Sequence, residues 1–139
     1  MVHNQKHGRF ARMLVGVMIV IMAAAGCVSK KACMEPTQAN LESLIRQGWD
    51  ARMAGEWGRI YDLATEAYKQ DNNRAAMGEK SNVNIKAYTI RSIEIKADKT
   101  AEAVIDFKVK QMGILFPFSL KEYWVWEKGC KWALDLSKK

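Results

Sequence analysis

Histidine is almost missing from this chain: of 139 residues, only His3 and His7 are histidine. Both precede an apolar run that reads as part of a targeting segment, so the rest of the chain has no imidazole. That absence closes Ser-His-Asp and Cys-His mechanisms and removes the commonest zinc ligand. No Gly-rich phosphate loop, CxxC pair or carboxylate cluster with metal spacing occurs, so no cofactor and no metal are expected. Internal repeats and low-complexity tracts are absent as well. Proline is limited to Pro36 and Pro117; the first closes a polar stretch and the second marks a bend or an edge within an extended segment.

Acidic residues are missing from the first 26 positions, where Lys6, Arg9 and Arg12 precede an uninterrupted apolar or small run from Met13 to Gly26. The run has 14 residues, against the roughly 20 that cross a bilayer, and a charged region followed by such a run is the layout of a secretion signal. Its end, Ala24-Ala25-Gly26-Cys27, resembles the lipobox of bacterial lipoproteins, with Ala24 where leucine is usual. The resemblance implies cleavage before Cys27, acylation at Cys27, and a membrane as partner through the lipid. Val28 follows where inner-membrane lipoproteins of many Gram-negative bacteria carry Asp, which favours the periplasmic face of the outer membrane in a host that has one. The chain then divides into a signal peptide (1–26), a lipidated tether (27–36) and one domain (37–139). Loss of the signal lowers the net charge from +7 to +4, because three basic residues leave and no acidic one does. Much of the basicity is therefore targeting, and nucleic acid is not an expected partner.

With Cys27 assigned to lipid, Cys33 and Cys130 remain, an even pair in an oxidising compartment. Cys130 sits at the tip of a predicted final hairpin and Cys33 in the tether. Either the two form a disulfide that closes nearly the whole domain, or they are independent thiols, since a bridge requires alpha carbons within about 7 Å.

In the domain, Thr37 is placed to cap a helix whose apolar positions Leu41, Leu44, Ile45, Trp49 and Met53 recur at helical spacing until Gly55. Trp57, Ile60, Tyr61, Ala64 and Tyr68 keep the same period and predict a second helix from about Glu56 to Lys69. A polar connector over 72–82 holds at most one helical turn, near Ala75 to Met77. The period then changes to two. Residues 84–97 are extended with a bulge near Arg91 and Ser92, where the apolar parity shifts. Ala97 to Thr100 turn the chain, and in the next strand Ala101, Ala103, Ile105, Phe107 and Val109 oppose a wet face. A third strand runs from about Ile114 to Glu127, with Trp124 and Trp126 on one face and Tyr123 and Val125 on the other. Lys128-Gly129 leads into a last strand carrying Trp132 and Leu134. The plan is α+β: two or three N-terminal helices on a curved antiparallel sheet of about four strands. Trp57, Tyr61 and Trp132 are expected in the core.

The segments "WDARMAGEWGRIYDLATEAYK", "YTIRSIEIKADKTAEAVIDFKV" and "EYWVWEKGCKWALDL" resemble the nuclear-transport-factor-2-like superfamily, and especially its small bacterial lipoproteins. The resemblance implies a cone-shaped α+β fold whose sheet and helices enclose a pocket, used for catalysis in some members and for binding or dimerisation in others. Trp57, Tyr61, Tyr88, Phe116, Phe118, Trp124 and Trp126 are the aromatic residues available to line it. Isomerase-like members need an aspartate base with tyrosine and acid donors, types that Tyr61, Asp62, Tyr88 and Asp106 supply. Hydrolase-like members use an Asp-Arg-Asp set, for which Arg91 and Asp106 on adjacent strands stand nearest. The leading expectation is a non-catalytic envelope domain that binds a small apolar ligand or an envelope protein. A small histidine-free enzyme in the same cavity is the alternative.

Overall fold

The computed structural model describes residues 33, 35–78 and 83–138; Cys27 and the signal region lie outside them. Four helices, α1 (Gln38–Ala54), α2 (Trp57–Leu63), α3 (Glu66–Asp71) and α4 (Arg74–Gly78), precede four strands, β1 (Ile85–Ile95), β2 (Thr100–Gln111), β3 (Ile114–Glu127) and β4 (Lys131–Leu134). The strands form one antiparallel sheet in chain order, so each connection is a hairpin and the architecture is α+β.

Helix α1 begins where its first orphan donors find an acceptor: the Thr37 side chain accepts from the Asn40 backbone N–H at 3.3 Å. It ends at Gly55, whose left-handed φ of 74° suits a residue without Cβ. The expected apolar face is present through Leu41, Ile45 and Trp49, all buried, but its last member differs. Met53 is exposed, while Arg52 is buried with its guanidinium 4.7 Å from the centre of the Trp49 ring. Arg52 turns inward because Glu122 of β3 waits there, Nη1 to Oε1 at 2.8 Å, both side chains nearly inaccessible. Periodicity counts apolar residues only and cannot see a charge drawn inward by a charge from another element.

The single second helix expected over 56–69 is two. Ala64 is extended and bridges Leu134, and the Thr65 N–H donates to the Leu134 carbonyl at 3.0 Å. The open edge of β4 thus competes with the helix for those backbone groups and wins for two residues, after which Thr65 caps α3 through its side chain, accepting from Tyr68. Trp57 and Tyr61 are half-buried rather than core, because α2 covers the rim of the sheet; Trp132 is buried as expected. The Tyr61 hydroxyl instead donates to the carbonyls of Lys69 and Asn72, tying α2 to the end of α3.

Side chains alternate across a strand, and the register puts Tyr88, Phe107 and Phe118 in one row, Ile105 and Leu120 in the next, then Ala103 and Glu122, then Ala101 and Trp124. This is the face that α1 covers: Trp49 packs its ring 4.9 Å from Phe107 and 5.7 Å from Tyr88. Ala101 and Ala103 keep the surface low beneath the helix, and both are buried. Trp124 and Trp126 belong to it too, Trp124 buried and Trp126 edge-on to Trp132 at 5.4 Å, so the tryptophan pair is the more enclosed of the two faces. The expected bulge is present between Ile90 and Ser92, and a second register shift lies between Ile85 and Ala87.

Cys33 and Cys130 are joined as a disulfide, with alpha carbons 5.4 Å apart and 97 positions between them in sequence. The entropy model for a loop of that length assigns about 4 to 5 kcal/mol. Reduction, or Cys130→Ser, should lower the denaturation midpoint by an equivalent amount without changing the far-ultraviolet dichroism; an unchanged midpoint would show that the crosslink does not constrain the unfolded chain. The buried ion pair makes a sharper test. Arg52→Met alone should cost about 3 to 5 kcal/mol because Glu122 is left charged and unpaired, and the Arg52→Met/Glu122→Met double variant should recover most of that loss in chemical denaturation.

Candidate functional site

Three regions of the sheet carry groups suited to recognition or chemistry. The first is a cleft of about 540 Å³ bordered by Tyr88, Arg91, Asp106, Lys108, Pro117 and Ser119 among others. Thr89, Asp106 and Ser119 pair across the strands, as do Ala87, Lys108 and Pro117. These positions alternate with Tyr88, Phe107 and Phe118, so their side chains stand on the face of the sheet away from α1. The bulge inserts Arg91 as an extra residue and re-aims it: Nε and Nη2 donate to the two carboxylate oxygens of Asp106 at 2.8 and 2.5 Å. The carboxylate and the fork-shaped cation spend their strongest directions on each other, on a surface where both remain solvated.

The second region is on the helix side. The Tyr88 hydroxyl donates to Asp50 Oδ1 at 2.8 Å and approaches the Arg46 carbonyl at 3.4 Å. Burial, foremost, and the bond to Asp50 push the Tyr88 hydroxyl above its ordinary value of 10.0, against an opposing pull from Arg46. The third region is the part of the helix-side face that no described helix covers. There Ile114, Phe116, Phe118 and Leu120, consecutive on one side of β3, are all exposed, between 41% and 59%. Phe118 stacks on Phe107 at 5.6 Å, so this exposed strip continues the core cluster without a break.

The aromatic residues considered for a pocket are therefore dispersed. Tyr88 and Phe118 are among the residues bordering the outer cleft, but their side chains stand on the helix side, where Tyr88 meets Asp50 and Phe118 shares the uncovered strip with Phe116; Trp124 is core, Trp126 packs on Trp132, and Trp57 and Tyr61 lie on α2. Among the acid-base candidates, Arg91 and Asp106 are brought together, whereas Tyr61 and Asp62 are not. Asp62 is held bidentately by Arg74 at 2.9 Å, and that hydrogen bond is the main reason its carboxyl lies below the usual range. Cys27 lies outside the described residues.

Asp50, Arg52 and Glu122 were missed as partners. For Glu122 a signal existed, since it shares parity with Trp124 and Trp126 and so had to enter the same interior. For Asp50 none did, because a lone aspartate on a helix reads as solvated. Among the described residues no group of three or more His, Cys, Asp or Glu side chains is placed to hold a metal ion, and no helix is long and apolar enough to cross a membrane. Neither a family model nor a curated protein matches the sequence.

Ultraviolet titration should show a tyrosine component raised above the ordinary value, and Tyr88→Phe should remove it. Because its native value is raised, the stability this hydroxyl contributes is complete below pH 10 and is lost as pH climbs through the raised value. A Tyr88→Phe variant that loses an ordinary component and keeps the raised one would refute the assignment.

Proposed function

We propose that this chain is a lipid-anchored envelope protein whose nuclear-transport-factor-2-like domain binds an apolar partner through its sheet and performs no catalysis. The observation that carries the reading is the uncovered strip Ile114, Phe116, Phe118 and Leu120: four large apolar side chains on one strand face, continuous with the core and open to solvent. Contiguous apolar surface of that kind marks interaction sites in soluble domains. The carboxylates best placed for acid-base work support binding over chemistry, because Asp62 and Asp106 are each engaged bidentately by an arginine.

Anchoring rests on the Ala24-Ala25-Gly26-Cys27 box together with the disulfide. Six positions of sequence separate Cys27 from Cys33, and the Cys33–Cys130 disulfide joins the start of the described domain to the β3–β4 turn. Growth with labelled palmitate should mark the mature chain, and Cys27→Ser should abolish the label and leave soluble protein or uncleaved precursor. An unlabelled native chain, or a Cys27→Ser chain that is still processed and membrane-bound, overturns the anchor.

A further inference from the structure

The β2–β3 hairpin is built against the usual rules of its own turn. Met112 and Gly113 form a two-residue connection with φ of 47° and 83°, both left-handed. Two left-handed residues define the hairpin turn in which Asn, Asp or Gly normally takes the first position. An unbranched apolar residue there accepts backbone strain with nothing packed against it, for Met112 is 100% exposed. Behind it come Ile114 and Leu115, also exposed. Local rules are broken in this way mostly where function requires it. The charge pattern is equally one-sided: residues 107–121 contain Lys108, Lys110 and Lys121 and no acidic residue.

We infer that this hairpin tip is a membrane contact that inserts Met112, Ile114 and Leu115 into the interfacial region of an anionic bilayer, with Lys108 and Lys110 at headgroup level. The inference rests on the reading of the sheet as a binding surface and names its partner. Apolar residues at a tip with basic residues one strand step behind match the two attractions such a surface offers, burial of apolar area and attraction of basic residues to anionic lipid. A second copy of the chain fits the hairpin less well, because two such tips bring lysines against lysines.

The open edge of β3 argues the same way. The Tyr123 carbonyl accepts from Asp135 on the β4 side and the Trp126 N–H donates to Lys99 on the β2 side, so odd-numbered residues of β3 address the outer edge. Pro117 is one of them, and its missing N–H interrupts that edge as a template for a partner strand.

The test uses the mature chain reconstituted in vesicles, with a single fluorophore on Gln111→Cys or, as control, on Ala97→Cys in the β1–β2 connection. With phosphatidylglycerol present, lipid-borne quenchers should quench the 111 label, whereas the 97 label, at the end of the sheet that carries the disulfide, should respond the same with or without phosphatidylglycerol. In phosphatidylcholine alone, or after Lys108→Gln/Lys110→Gln, partition of the tip should fall roughly tenfold or more, and Met112→Asn/Ile114→Thr should abolish it while the thermal midpoint holds. A 111 label that stays aqueous on vesicle-bound chain overturns the tip contact and leaves the anchor standing. Shielding of the label without lipid quenching, accompanied by cross-linking between copies, overturns it in favour of self-association. A native chain found unacylated at Cys27 that nevertheless inserts its tip would sink the anchor alone.

Discussion

Helix α1 is held on the sheet by one compact arrangement, in which Trp49 lies against Phe107 and Tyr88 while Arg52, one helical turn on, reaches over the Trp49 ring to Glu122. The apolar part supplies the attraction; an indole of this size buried at a helix–sheet seam is worth several kcal/mol. The ionic part contributes little net energy, because taking two charges out of water offsets most of their attraction. What it supplies is a requirement. Glu122 stays charged inside only if Arg52 is opposite, so a helix shifted by one turn along the sheet would strand both. The positions of α2 and of the Tyr88–Asp50 contact follow from that seating, since both take their bearings from α1.

Much of this architecture is legible in the chain. Gly55 and Thr37 bound α1, the change of period after residue 83 announces the sheet, and the parity break between Ile90 and Ile93 locates a bulge to within a residue. These signals are local: each depends on a few neighbouring side chains and on backbone preferences. What failed to show needed a partner distant in sequence. The break at Ala64 and Thr65 is caused by Leu134, and the inward turn of Arg52 by Glu122, neither of which leaves a mark on the helical period. The site was less readable than the fold for the same reason: the strand period marks Phe116 and Phe118 as apolar positions on one face but does not show how far α1 reaches over them.

Half of the sheet is protein interior and half is surface, although the exposed half of β3, Ile114 to Leu120, is the more apolar of the two. The boundary lies near Lys121 and Glu122. On the far side of it the strand is paired only with β2, and β4 joins it only from Trp124 onward. A strand with one bare edge and a bare apolar face is a hazard for aggregation. Pro117 on the bare edge and the lysines of the hairpin are the protections present, and both act by discouraging another strand while leaving the apolar face open.

The disulfide changes how the domain would answer to mechanical force. Without it, a pull on the chain ahead of Cys33 would enter through the first turn of α1 alone, and a helix loaded at one end unravels a turn at a time. With Cys33 joined to Cys130, the same pull is delivered to the β3–β4 turn as well, 97 positions away in sequence. The four residue pairs of β3 and β4, Trp124 with Leu134 through Glu127 with Lys131, then share the load with the helix. Extension under tension is limited too, because the covalent loop cannot lengthen even if every element inside it melts. The chain ahead of Cys33 therefore ends on a closed ring of protein, and the domain resists a pull on it as a unit.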